Sequence, residues 1–77
     1  MHTLYIGGLP PDASEQTLHD LFGDISGLTS VRIVTGEGGS CRGFGYVTFN
    51  NREAVYAARK RDGTTVGDCV LRVDRAR

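Results

Sequence analysis

Arg42-Gly43-Phe44-Gly45-Tyr46-Val47-Thr48-Phe49 is the stretch that decides how this chain of 77 residues folds. It reads as a β-strand, and successive side chains of a strand point to opposite faces of the sheet. One set is Arg42, Phe44, Tyr46 and Thr48; the other is Gly43, Gly45, Val47 and Phe49. An unpaired charge is too costly to bury, so the set that contains Arg42 faces solvent and the other faces the core. Phe44 and Tyr46 are therefore placed outward, aromatic though they are.

Residues 3–7 give the same answer independently. Leu4 and Ile6 are the core pair of a short strand, which turns Tyr5 and Thr3 outward; a Gly-Gly-Leu-Pro-Pro turn follows at 7–11. Ser14 is a helix N-cap followed by an acidic first turn, and Leu18, Leu21, Phe22 and Ile25 make one apolar helical stripe. Residues 28–34 alternate, with Val31 and Ile33 on one face and Arg32 and Val34 on the other. Residues 35–40 hold three glycines and read as a loop. Asn50 caps a second helix with Glu53 at the capping-box position. The buried face of that helix is Ala54, Ala57 and Ala58, and Asp62-Gly63 ends it. Residues 70–74 form the last strand, with Leu71 and Val73 inward and Arg72 and Asp74 outward.

The order β-α-β-β-α-β predicts an α+β, ferredoxin-like sandwich: a four-stranded antiparallel sheet with both helices on one face and the other face bare. The chain is read as one domain, residues 1–77. Three aromatics on the bare face mark a binding surface, and the chemistry suits nucleobases, because stacking on an aromatic ring contributes about 1–3 kcal/mol per base. Arg42 is placed to pair with a phosphate. Arg32 and Arg72 share the outward parity and add positive charge, and Thr3, Thr48 and Asp74 can hydrogen-bond base edges or sugar hydroxyls. The plainer alternative is that the rings are packing for a C-terminal helix or for another protein.

The chain is neutral overall, with nine basic and nine acidic residues, but the charge is segregated. Residues 1–31 carry four acids and no Lys or Arg, while residues 32–77 carry all nine bases. Arg59-Lys60-Arg61 reads as a solvated helix end on the wrong side of the sheet. No signal or transmembrane segment is evident, and Cys41 and Cys69 lack motif spacing, so two free thiols in an intracellular protein are expected, cytoplasmic in the first instance with the nucleus as the alternative. His2 and His19 have no partners for metal binding, and the loop glycines match no phosphate- or dinucleotide-binding pattern.

The octamer from Arg42 to Phe49, with Leu4-Tyr5-Ile6-Gly7-Gly8-Leu9 as the matching hexamer on the first strand, resembles the paired motifs of the RNA recognition motif family, and the resemblance runs over the whole chain. It implies that Tyr5, Phe44 and Tyr46 stack on bases of single-stranded RNA and that Arg42 contacts the backbone, with Arg75 and Arg77 trailing the last strand over the RNA. It implies a monomeric ribonucleoprotein component with no cofactor, metal, membrane or small-molecule substrate. Single-stranded DNA is a possible second ligand, since stacking does not see the 2′-hydroxyl. Affinity is expected to be modest, because only about three to five phosphates can be neutralised. The same resemblance implies the strand order last-first-third-second. In that order Cys41 and Cys69 would open strands separated by a third, roughly 9–10 Å apart, too far for a disulfide.

Ile25-Ser26 stands where many members have Phe-Gly, and Ala58 and Arg61 stand where a bulky aliphatic is common, which thins the core. The loop at 35–40 lacks Lys and Arg. A protein-interaction module on the same fold is the competing reading, although such variants usually lose the motif aromatics. Enzymes and metal chaperones with this element order need an Arg or a Cys-x-x-Cys in the first loop, where this chain has Gly7-Gly8-Leu9-Pro10-Pro11. The chain opens just before its first strand and stops at its last. This fits a free-standing protein of the kind bacteria encode, or alternatively a trimmed domain.

Overall fold

The structure is a computed structural model that describes residues 1–34 and 40–76. Among the described residues eight elements follow one another: β1 (His2–Leu9), α1 (Glu15–Phe22), β2 (Leu28–Val34), β3 (Gly43–Phe49), α2 (Arg52–Arg59), β4 (Thr65–Val66), β5 (Cys69–Val70) and β6 (Arg72–Arg75). The main sheet is antiparallel with strand order β2-β3-β1-β6, the predicted order with the two motif strands at its centre. The glycine-rich loop reading for residues 35–40 falls, apart from Ser40, outside the described residues.

Strand parity holds in β1 as far as Ile6 and in β3 and β6; beyond the β1 register shift Leu9 is buried as well. Leu4, Ile6, Val47, Phe49, Leu71 and Val73 are buried, and they meet Leu18 and Phe22 of α1 and Ala54 and Ala58 of α2 in one core. Burying a Leu, Val or Phe side chain of this kind contributes about 1.5–3 kcal/mol. Leu28, Val31 and Ile33 pack on its edge. Gly45 is small for a reason: a Cβ there would collide with the Arg32 carbonyl of β2 and lie 3.1 Å from Leu18 Cδ1. Glycine lets α1 and β2 close around the middle of β3.

The Ser14 cap is as expected, and its N–H donates to the Thr17 hydroxyl at 3.1 Å. The second cap is displaced by one residue. Asn51, not Asn50, is the N-cap of α2 and accepts from the Ala54 N–H at 2.8 Å. Asn50 instead accepts a bond from the Asn51 side-chain amide. Glu53 therefore does not close a capping box. Adjacent asparagines offer two equivalent caps to a local reading, and the tertiary anchoring of Asn51 on the Ser26 carbonyl selects the second.

Arg61 also departs from the expectation of a solvated basic helix end. It donates to both carboxylate oxygens of Asp24, at 2.7 and 2.8 Å, and to the Leu21 carbonyl. One planar guanidinium thus ties the end of α1 to the turn after α2. The hydrogen bond and charge of Arg61 hold the Asp24 carboxyl below the ordinary aspartate value, and those of Asp24 raise Arg61.

The largest correction concerns the cysteines. They are not free thiols too far apart to join: Cys41 and Cys69 form a disulfide with Cα atoms 5.3 Å apart. The strand-spacing estimate failed because neither cysteine lies in the main sheet. Cys69 belongs to a separate β4–β5 hairpin that precedes β6, and Cys41 lies in the turn before β3. The β1–β3 register also shifts between Ile6 and Leu9. Gly8, at φ +72°, leaves no room for a Cβ beside the Val70 carbonyl, so the β5 segment passes directly over the end of β1. The two cysteines meet there rather than across β1.

Candidate nucleic-acid interface

The register converts parity into a map of the bare face. Paired residues on neighbouring strands share a face, and Tyr5 is paired with Tyr46 on one side and Asp74 on the other, while Tyr46 is paired with Arg32. A row Arg32–Tyr46–Tyr5–Asp74 therefore crosses all four strands, cationic at the β2 edge and anionic at the β6 edge. One step along, Val34 pairs with Phe44. One step the other way, Thr3 pairs with Thr48, and their hydroxyls lie 3.1 Å apart.

The three rings form a cluster. Ring centroids are 5.8 Å apart for Tyr5 and Phe44, 6.0 Å for Tyr5 and Tyr46, and 6.3 Å for Phe44 and Tyr46. Tyr5 and Phe44 are tilted by only 31°, whereas Tyr46 meets both nearly edge-on. These separations lie within the range of favourable aromatic pairs, so each ring supports its neighbours while keeping a face or edge to solvent. Gly7 makes room for the cluster: a Cβ there would lie 2.8 Å from both Cε2 and Oη of Tyr5. The Tyr5 ring leans along its own strand over the glycine.

The basic candidates are distributed unequally. Arg32 sits in the row beside Tyr46, and Arg42 is exposed immediately ahead of β3. Arg72 lies on the outer strand, and its Nε is 3.6 Å from Asp62, which also accepts from the Val73 N–H. Arg75 ends the last strand. It pairs with Leu4, a core-facing residue, so it belongs to the helix side of the sheet. There it lines a cleft with Arg52, Tyr56 and Arg59 of α2. A strand end two residues past Val73 keeps the parity of Val73. Arg77 lies outside the described residues.

Val34 was missed as a platform residue. Its outward parity was legible, but only the pairing with Phe44 shows that it extends the apolar surface toward the β2 edge. Val31 and Ile33, on the opposite parity, pack on the core.

Comparisons with known proteins bear on this surface. Residues 4–72 match the model of a family described as the RNA recognition motif. The chain is 42% identical over 72 residues to human RNA-binding protein 28, covering 92% of this chain and 9% of that protein. It is 37% identical over 73 residues to the spliceosome associated factor 3, U4/U6 recycling protein of Danio rerio, covering 94% and 8%. The chain thus spans less than a tenth of these relatives. Among solved structures, the second domain of a yeast poly(U)-binding protein superposes with a TM-score of 0.85 at 25% identity, covering 100% of this chain and 95% of that one. The paired domains of Sex-lethal from Drosophila melanogaster give 0.85 at 29%, covering 100% and 50%.

Proposed function

The chain belongs to the RNA recognition motif family, and from that premise we propose that its bare sheet face binds single-stranded RNA. Tyr5, Phe44 and Tyr46 stack on two or three splayed bases, and Arg42, ahead of β3, and Arg32, beside Tyr46 on β2, neutralise the backbone. The observation that carries the reading is the clustering of the three rings, all within 6.3 Å of one another, on the sheet face opposite α1 and α2. Thr3 and Thr48 hold each other and leave spare hydroxyl capacity for a sugar or base edge.

The reading is of a binding module rather than an enzyme. It is supported by the relatives whose names describe RNA-binding and spliceosomal proteins. The name of the poly(U)-binding neighbour makes oligouridine the first probe. Single-stranded DNA of the same length is a weaker ligand that uses the same rings, and the protein acts as a monomer.

The test is fluorescence anisotropy with labelled oligouridine, its DNA counterpart and a short RNA duplex. Binding of the single strands, with affinity falling as salt rises at about 0.7 log units per neutralised phosphate for each log unit of salt, is expected. Preference for the duplex, or no binding to either strand, rejects the reading.

A further inference from the structure

The Cys41–Cys69 bond has no part in a stacking platform, yet it ends one residue before Arg42. It joins the turn that leads into β3 to the β4–β5 hairpin. That hairpin is seated on the Gly8 end of β1, where the Val70 carbonyl takes the space of a side chain. The bond therefore clamps together the ends of the two central strands that carry all three rings.

Cys41 is also the one described non-glycine residue with positive φ, at 65°. A side chain at that φ is disfavoured unless its surroundings hold it there. Here the disulfide is the restraint at hand, tethering Cys41 to a cysteine that is itself buried at 3% exposure. Without the bond, Cys41 is free to return to an ordinary backbone conformation. The peptide that sets the direction of Arg42 turns with it.

We infer that Cys41 and Cys69 form a reversible redox site that tunes RNA affinity through the placement of Arg42. The inference rests on the RNA-binding reading above. The reaction is thiol–disulfide exchange. Two thiols and one low-molecular-weight disulfide, such as oxidised glutathione, give the Cys41–Cys69 bond and two molecules of reduced thiol. The protein loses two electrons and two protons, which the oxidant takes up. In the reverse direction a low-molecular-weight thiolate attacks the sulfur of Cys41, the less buried residue of the pair, and Cys69 leaves as the thiolate; a second thiolate then attacks the small-molecule sulfur of the mixed disulfide, releasing the Cys41 thiolate and the low-molecular-weight disulfide. Oxidation fixes Arg42 ahead of Phe44 before RNA arrives. Reduction leaves that ordering to be done on binding, which costs affinity.

The test is oligouridine affinity measured on wild-type protein with oxidised glutathione and with dithiothreitol. Thiol titration establishes the state of the pair, and circular dichroism establishes that both forms are folded. The oxidised form is expected to bind about three- to tenfold more tightly, the worth of ordering one long side chain. The Cys41→Ser/Cys69→Ser variant should match the reduced protein in both buffers. Arg42→Ala, which keeps the disulfide, should bind weakly and equally in both. Equal wild-type affinities overturn the inference while leaving RNA binding intact. So does a redox effect that survives in either variant, or a reduced form that has lost its sheet, which would make the bond a structural staple. Absence of binding in both buffers defeats the RNA-binding reading and this inference with it.

Discussion

The ring of Tyr5 lies over Gly7, so close that a Cβ on Gly7 would sit 2.8 Å from the ring. A side chain two residues along the same strand shares its face, and here the absent one is what allows the aromatic to lie down beside Phe44 at 5.8 Å. Gly7→Ala is predicted to lift Tyr5 out of the cluster without disturbing the core, because only the ring has to move. Oligouridine affinity should fall by about 1 kcal/mol or more, within the range for loss of one stacked base, with little change in melting temperature. A variant that binds as well as wild type would show that the tilt of Tyr5 does not matter.

Phe44→Ala removes a ring that lies against Tyr5 and Tyr46 on the outward parity of β3. RNA binding is expected to weaken by about 1–3 kcal/mol while the midpoint of thermal unfolding stays nearly constant. Calorimetry and anisotropy on the same preparation separate the two effects. Unfolding of this variant would contradict the outward parity of β3.

Gly45→Ala should behave in the opposite way. The new methyl would press on the Arg32 carbonyl and on Leu18, both fixed by sheet and core, so neither can yield cheaply. Overpacking of this kind costs about 1–3 kcal/mol. Denaturant unfolding should show this loss, and RNA affinity at low temperature should change less than for Phe44→Ala.

The Asp24–Arg61 pair makes stability depend on acid. Asp24 is held below its ordinary value of 3.8 by Arg61. A carboxyl depressed in the folded state contributes stability that is complete above the unfolded value and is lost as pH falls through the folded one. Wild type should therefore exceed Asp24→Asn in stability by a constant margin from neutrality down to the region just above 3.8. The margin should close below that value. Melting temperatures of the two proteins across this range check it, and a margin that grows toward acid would reverse the assignment.

The disulfide closes a loop with a sequence separation of 28, for which loop-closure entropy predicts about 3–4 kcal/mol of stabilisation. Reduction should lower the melting temperature by roughly 10–30 °C for a domain of this size. Scanning calorimetry with and without dithiothreitol measures it, and an unchanged midpoint would mean that the reduced chain keeps the two segments together without the bond.

What the sequence by itself determined is what depends on neighbours along the chain. Alternation in residues 42–49 set which side chains face out, since an arginine cannot share the core side with Val47 and Phe49, and the apolar spacing of Leu18 and Phe22 set the buried stripe of α1. The tertiary structure alone decided everything that depends on residues distant in sequence. Register brought Tyr46, Tyr5, Arg32 and Asp74 into one row and carried Arg75 to the helix side. The Ser26 carbonyl chose Asn51 over Asn50 as a cap, and Asp24 captured Arg61. The cysteines are the clearest case. Strand spacing in a regular sheet keeps them apart, whereas the small β4–β5 hairpin lies outside that sheet, crosses the end of β1 at Gly8 and delivers Cys69 to Cys41. Two-residue strands carry too few side chains to leave a periodic signal, so only the packing of the whole chain could place them.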